Sequence, residues 1–138
     1  MIKAHRIPSA LVLLLLVIGV KGQSFVPDEL TLVKSSAYTS VKNQAHTGTC
    51  WSFSTVSLVE SQTIKNSIGE VDLSEIFIVR NIYLEKAHNY ILRQGKAQFG
   101  EGGLGHDVIR AIDRYGAVPE SVYSGLPVGT TQHDHGKL

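Results

Sequence analysis

The sequence has 138 residues, of which 43% are hydrophobic and 18% charged, and its formal net charge is +1. This is the composition of an ordinary globular chain with enough length for one domain. The near-neutral charge and the scattered basic residues exclude the basic stripe that nucleic-acid binding needs, so we expect no nucleic-acid partner.

The N-terminus has the pattern of an export signal. Basic residues precede an unbroken apolar run over residues 10–20, which is shorter than the ~18 residues of a membrane-spanning helix but fits a signal-peptide core. We therefore predict a signal peptide over residues 1–22 and a mature domain over residues 23–138. The protein is expected to be exported, secreted or periplasmic, with no stable membrane insertion after cleavage; a membrane anchor is the alternative.

The only cysteine, Cys50, follows a loop that has a glycine two residues before the sulfur. After it, apolar residues are interleaved with Ser, Thr and Glu in a pattern that predicts a helix over residues 49–65. At a helix N-terminus, unpaired N–H groups and the positive end of the macrodipole favour the nucleophilic thiolate. Gln44 carries an amide that could face an oxyanion beside Cys50, whose backbone N–H would be the second donor. Outside such a setting, a lone cysteine is most often a small buried hydrophobe.

Two further helices are predicted downstream. Asp72, as N-cap, and Glu75 have capping-box spacing and begin a helix with an apolar stripe that is expected in the core. The members of that stripe are Ile76, Phe77, Tyr83, Leu84, Ala87 and Ile91. The charged residues off the stripe are expected on a solvated face; they are Glu85, Lys86 and Arg93. A third helix, over residues 107–115, is expected to end at Gly116 and to turn four side chains inward: Val108, Ile109, Ile112 and Tyr115.

A glycine cluster lies between these two helices, over residues 99–105. No Lys-Ser/Thr pair follows it and no strand plainly precedes it, which argues against a phosphate-binding loop. By itself the cluster could be only a flexible turn. Near a reactive cysteine, however, glycine backbone could run alongside an extended peptide and exchange main-chain hydrogen bonds with it.

Taken in order, these motifs resemble those of the bleomycin hydrolase and aminopeptidase C group of papain-like cysteine peptidases. The resemblance covers residues 38–138, and Thr47 stands where many cathepsin-type members carry a disulfide cysteine, which favours this cysteine-poor group. The matching pieces are Gln44, Gly48-Thr49-Cys50-Trp51-Ser52-Phe53, Leu73-Ser74-Glu75, Gly102-Gly103, and Tyr115-Gly116 with Val118-Pro119.

The resemblance implies an α+β papain-like cysteine peptidase fold, of which only the mainly helical N-terminal half-domain is present. It makes Cys50 the nucleophile and Gln44 the oxyanion-hole side chain, while Gly102 and Gly103 line the substrate cleft. Trp51 is assigned a packing role only. The implied reaction is peptide-bond hydrolysis through a thioester acyl-enzyme, with a peptide substrate and with no metal or cofactor. Members of the group are commonly homohexamers, so a homo-oligomer is expected.

The chain departs from this pattern at the general base. Papain-like peptidases carry the catalytic His and Asn about 130–150 residues or more beyond the cysteine, whereas this sequence ends at Leu138. We therefore expect a fragment or a truncated paralogue that does not hydrolyse peptides alone. The histidines that follow the predicted signal peptide are expected at exposed, solvated or cleft-side positions rather than as the base or as metal ligands; they are His46, His88, His106, His133 and His135.

Two other functions stay open from the residues alone. One is a catalytically dead papain-like half-domain that binds peptides without cleaving them. The other is a transglutaminase-like acyltransferase, because those enzymes also place Gly-x-Cys-Trp at a helix start. Leu73-Ser74-Glu75 and the Gly102-Gly103 pair favour the peptidase. An isolated half-domain would also expose the apolar surface against which the other half packs, which predicts poor solubility or self-association.

Overall fold

The computed structural model describes residues 30–136, and the chain divides into two units between Lys34 and Ser35. Within the described part, the second unit contains three α-helices and no strand: α1 (Cys50–Lys65), α2 (Glu75–Leu92) and α3 (Gly105–Tyr115). This mainly helical architecture agrees with the predicted half-domain. The predicted signal peptide lies outside the described residues. Among the helices of residues 30–136, none has the length and apolar character needed to cross a membrane.

Helix α1 begins one residue later than predicted, at Cys50, with Thr49 as its N-cap residue. It ends at Lys65 as predicted, where the Asn66 N–H bonds back to the Gln62 carbonyl at 3.0 Å. The helix is rich in Ser and Thr, which are weak helix formers, so packing must hold it. Val56 is fully buried in the core, and the buried Ser52 hydroxyl donates to the Glu75 carbonyl at 3.0 Å.

Helix α2 is capped by a different residue from the one predicted. Its N-cap is Ser74, whose Oγ accepts a hydrogen bond from the Phe77 N–H at 3.0 Å. The predicted cap at Asp72 is wrong, because the Asp72 carboxylate instead pairs with Lys42 Nζ at 2.6 Å. Serine is about as good an N-cap as aspartate, and the ion pair with Lys42 leaves the cap position to Ser74.

The buried face of α2 differs in part from the predicted stripe. Ile76 is buried as expected, and Phe77 and Tyr83 pack against the core, but Leu84 is 54% exposed and Ile91 is 71% exposed. Besides Ile76, the buried residues of α2 are all outside the predicted stripe; they are Glu75, Ile78, Val79, Asn81 and Ile82. Apolar residues are consecutive in this segment, so spacing alone does not define the face.

Two of the three charged residues predicted to be solvated make tertiary contacts instead. Glu85 pairs with Arg110 at 2.7 Å and with Arg114 at 3.2 Å, which joins α2 to α3. Lys86 donates to the carbonyls of the glycine cluster, at Gly100 (2.9 Å) and at Gly102. Arg93 is exposed, as predicted.

Helix α3 begins at Gly105, two residues before the predicted start, and ends at Tyr115 as predicted. Gly116 follows it with φ of 77°, a conformation that favours glycine, so the predicted stop is confirmed. Val108 is buried and Ile112 packs against the core, as expected. Ile109 and Tyr115 are 54% and 38% exposed, so their inward placement was wrong, and the missed buried residue is Ala111.

The start of α3 depends on Asp107, whose Oδ2 accepts a hydrogen bond from the Leu104 N–H at 2.9 Å. Burial would raise the pKa of Asp107, but that hydrogen bond and the nearby Arg110 outweigh it and hold the pKa below its ordinary value. Ionised Asp107 therefore stabilises the fold above its ordinary pKa, and this contribution is lost as the pH falls through the lowered value.

We expect Asp107→Ala to lower the free energy of unfolding by about 1 kcal/mol at neutral pH, because it removes a helix cap and a favourable charge at the helix start. The loss should shrink as the pH falls below the ordinary pKa of an aspartate, because protonation of the carboxyl removes the same stabilising charge from the wild type. Urea unfolding at several pH values measures it, with the exposed Asp113→Ala on the same helix as the control. A loss independent of pH would contradict the assignment.

A buried ion-pair network fixes the segment before α1 against the helices. Glu60 is fully buried, and its carboxylate accepts from Thr39 Oγ1 at 2.6 Å, Lys42 Nζ at 2.9 Å and the Leu73 N–H at 2.8 Å. Lys42 also contacts Glu75 at 2.9 Å. Burial lowers the pKa of Lys42, but its acidic neighbours outweigh that effect and raise it, whereas burial raises the pKa of Glu75.

Candidate active site

Cys50 is the first residue of α1, and its side chain is exposed. Among the described residues, none accepts a hydrogen bond from the Cys50 backbone N–H. Free N–H groups of this kind are expected in the first turn of a helix, where no preceding carbonyl is within reach. The predicted position of the cysteine at a helix start is confirmed, and its role as a nucleophile stays a prediction.

The loop before Cys50, residues 44–49, is hereafter called the nucleophile loop. Gln44 is half-buried, and its Nε2 donates to the Thr47 carbonyl at 2.6 Å. In return, Thr47 Oγ1 donates to the Gln44 carbonyl at 2.9 Å, so the two residues form a closed turn. This turn fixes the orientation of the Gln44 amide, which still has a second N–H to donate. The oxyanion-hole role of Gln44 stays a prediction.

Residues 99–105, hereafter the glycine segment, pack against the residue after Cys50. Trp51 is 7% exposed, and its Nε1 donates to the Glu101 carbonyl at 3.0 Å. A Cβ atom added to Gly103 would lie 2.6 Å from Cε2 of the Trp51 ring, so no side chain fits there. The structure thus places the Gly103 backbone directly beside Trp51, which packs as predicted. Gly102 is exposed, and a Cβ added to it would meet nothing within 4 Å.

Sequence reasoning missed Glu101, which connects these two segments. Its carboxylate accepts a hydrogen bond from the Gly48 N–H, and its carbonyl accepts from Trp51 Nε1 and, at 3.3 Å, from the Tyr83 hydroxyl. Burial and the charge of Glu101 raise the pKa of Tyr83 to about 12, so the hydroxyl keeps its proton. In the sequence, the only feature that distinguishes Glu101 is that it is the single charged residue of the glycine segment.

His133 and His135 also differ from expectation: their side chains were predicted to be solvated, but both are half-buried. The His46 N–H donates to the His133 carbonyl and the His135 N–H donates to the His46 carbonyl, both at 3.1 Å. The His135 ring packs against Tyr83, with 5.8 Å between ring centroids. Burial lowers the pKa of His133. His46, His88 and His106 are exposed.

Replacement of Gly103 by alanine is expected to lower the free energy of unfolding by about 1–3 kcal/mol, because the added methyl group overlaps the Trp51 ring. Gly102→Ala is the matched control, since a methyl group there meets open space. Urea unfolding followed by Trp51 fluorescence measures both variants. Equal stability of the two would contradict the close packing of the glycine segment on Trp51.

Comparison with known proteins bears on this site. A family model described as papain family cysteine protease matches residues 26–130. A cathepsin L-like proteinase of Fasciola hepatica is 40% identical over 50 residues, which are 36% of this chain and 15% of that protein. Cathepsin L1 of Drosophila melanogaster is 42% identical over 62 residues, which are 40% of this chain and 17% of that protein. The matched stretches therefore cover only a small part of either relative, and both relatives are named as cathepsins.

Proposed function

The chain belongs to the papain family of cysteine proteases, and from that premise we propose that it carries the nucleophile half of a cysteine peptidase, with Cys50 as the attacking residue. One observation carries the proposal: Cys50 is exposed at the first position of α1, and none of the described residues accepts a hydrogen bond from its backbone N–H. A sulfur in that position is accessible to substrate and lies where the helix favours the thiolate.

The proposed chemistry is acyl transfer in two steps. The Cys50 thiolate attacks the carbonyl carbon of the scissile bond, a C–S bond forms, and the carbonyl oxygen becomes an oxyanion. The Cys50 N–H and the Gln44 amide donate to that oxygen. The C–N bond then breaks, the amine leaves with a proton from an imidazole, and water hydrolyses the thioester. We assign the imidazole to none of the histidines that the structure describes.

The substrate would lie along the glycine segment. No described residue bonds to the Gly103 N–H or carbonyl, so both are available to an extended peptide. The Trp51 ring holds that backbone in position, because it fills the space that a side chain at residue 103 would need. Gly102 is exposed beside it, although Lys86 already donates to the Gly102 carbonyl.

For the substrate class, we propose the aminopeptidase mode of the bleomycin hydrolase and aminopeptidase C group. The support is the ordered motif set and Thr47, which stands where many cathepsin-type members carry a disulfide cysteine and whose hydroxyl forms part of the turn with Gln44. The competing mode is cleavage at internal peptide bonds.

Fluorogenic peptides with free and with acetylated N-termini separate the two modes, with the protein as its gene encodes it. We expect faster hydrolysis of the free-amine peptides. Equal or faster hydrolysis of the acetylated peptides would overturn the aminopeptidase mode and leave the peptidase. Binding of both peptides without hydrolysis would favour the dead binding module. Incorporation of amines into glutamine substrates, with no hydrolysis, would favour the acyltransferase.

A further inference from the structure

Glu101 joins the nucleophile loop to the glycine segment through both its side chain and its backbone. The carboxylate accepts from the Gly48 N–H, two residues before Cys50. The carbonyl accepts from Trp51 Nε1, one residue after Cys50. The two hydrogen bonds therefore hold the chain on both sides of the sulfur.

Gly48 and Glu101 fit each other closely. A Cβ atom added to Gly48 would lie 2.9 Å from the Glu101 Cβ and 3.0 Å from its Oε2. Gly48 is not among the glycines with a positive φ, so the need for glycine here comes from the contact with Glu101 and not from the backbone conformation. Lys86 Nζ also donates to the same segment, at the Gly100 and Gly102 carbonyls.

We propose that Glu101 is a positioning residue for Cys50, an inference that rests on the proposed peptidase function. Its carboxylate fixes the Gly48 N–H and so sets the distance between the sulfur and the backbone that would hold the substrate. A hydrogen bond to an ionised acceptor is shorter and stronger than a neutral one, which suits it to this task. Small displacements of a reacting group reduce rates strongly, by about 10²-fold for 1 Å.

The alternative is that Glu101 acts only by its charge. A carboxylate near the sulfur disfavours a second negative charge, so loss of the Glu101 charge would then make Cys50 more reactive. If Glu101 positions Cys50, loss of its carboxylate should instead make Cys50 less reactive toward a reagent that binds like a substrate. The Glu101 side chain is 35% exposed, so its replacement by glutamine is not expected to unfold the chain.

The test compares two thiol reagents on the protein as its gene encodes it: a peptidyl epoxide, which must bind along the glycine segment, and iodoacetamide, which need not. We expect Glu101→Gln to lower the maximal inactivation rate with the epoxide by roughly tenfold, with little change in its half-saturation concentration. The iodoacetamide rate should not fall. Gly48→Ala should reproduce the loss from the other side of the contact, and the double variant should lose little more than the worse single variant.

Glu70→Gln, at an exposed loop position, is the control and should match the wild type. A wild-type epoxide rate in Glu101→Gln would overturn the positioning role. The positioning role would also be overturned if Glu101→Gln lowered the rates with both reagents equally and reduced the helical circular dichroism, because that result means that the variant has lost structure. If the wild-type protein does not react with the epoxide at Cys50, the proposed peptidase function itself fails, which is a distinct result.

Discussion

Cys50→Ser is expected to lower kcat/KM for peptide hydrolysis by roughly 10⁴-fold or more, the largest effect of any single replacement in this chain. The thiolate is the nucleophile of the proposed reaction, and a serine hydroxyl at the same position stays protonated without a base built for it. Initial rates with a fluorogenic peptide measure the loss. The protein should be assayed as its gene encodes it.

Two controls accompany this variant. Cys50→Ala should retain peptide binding, because the glycine segment and not the sulfur would hold the substrate backbone. Ser54→Ala changes an exposed residue on the same helical turn, whose hydroxyl makes only a 3.4 Å contact to the Trp51 carbonyl, and it should keep wild-type activity. If Cys50→Ser keeps its activity within a few-fold of wild type, the nucleophile assignment is wrong.

Glu60→Ala is expected to lower the free energy of unfolding by about 3–5 kcal/mol, the largest expected loss of stability. Glu60 is fully buried and accepts three hydrogen bonds, so its removal leaves Thr39, Lys42 and the Leu73 N–H without that partner. Unpaired buried donors and charges are costly. A loss of this size is a large share of the ~5–15 kcal/mol that stabilises an ordinary domain.

Urea unfolding followed by circular dichroism measures this loss. Glu60→Gln keeps the shape and an acceptor oxygen but not the charge, so it should fall between wild type and Glu60→Ala. Glu70→Ala removes an exposed glutamate from the loop after α1 and should change stability by less than about 0.5 kcal/mol. A loss below about 1 kcal/mol in Glu60→Ala would mean that the network does not stabilise the fold.

The parts of the fold that sequence reasoning predicted are those set by local chemistry. The start of helix α1 was predicted to within one residue, because a loop glycine, a single cysteine and a long helical pattern mark it in the sequence. The end of α3 was found because Gly116 has a positive φ that few other residues adopt. Both signals lie within one turn of the boundary that they define.

The parts that were missed depend on partners distant in the sequence. Asp72 and Ser74 are both good N-caps, and the choice between them depends on Lys42, about thirty residues earlier. The buried face of α2 depends on packing with α1 and α3, because its apolar residues occur on several sides. Local spacing carries no information about such contacts.

The same reason explains what was missed at the site. Gln44, Cys50 and the glycine pair carry a local pattern, and the structure brings Gly103 beside Trp51, next to Cys50. Glu101 belongs to no local pattern, and only its hydrogen bond from the Gly48 N–H shows that it contacts the nucleophile loop. The backbone pairing of His46 with His133 and His135 joins positions nearly ninety residues apart, and no local pattern indicates it.

The central claim is that the start of α1 makes Cys50 a reactive nucleophile. The most direct test is the second-order rate constant for its alkylation by iodoacetamide at neutral pH, in the folded protein and in the same protein unfolded in urea, with the modified residue identified by mass spectrometry. Cys50 is the only cysteine of this 138-residue sequence, and the mass spectra restrict both rates to its sulfur. We predict a rate roughly tenfold or more higher in the folded protein. An equal or lower rate in the folded protein would contradict the claim.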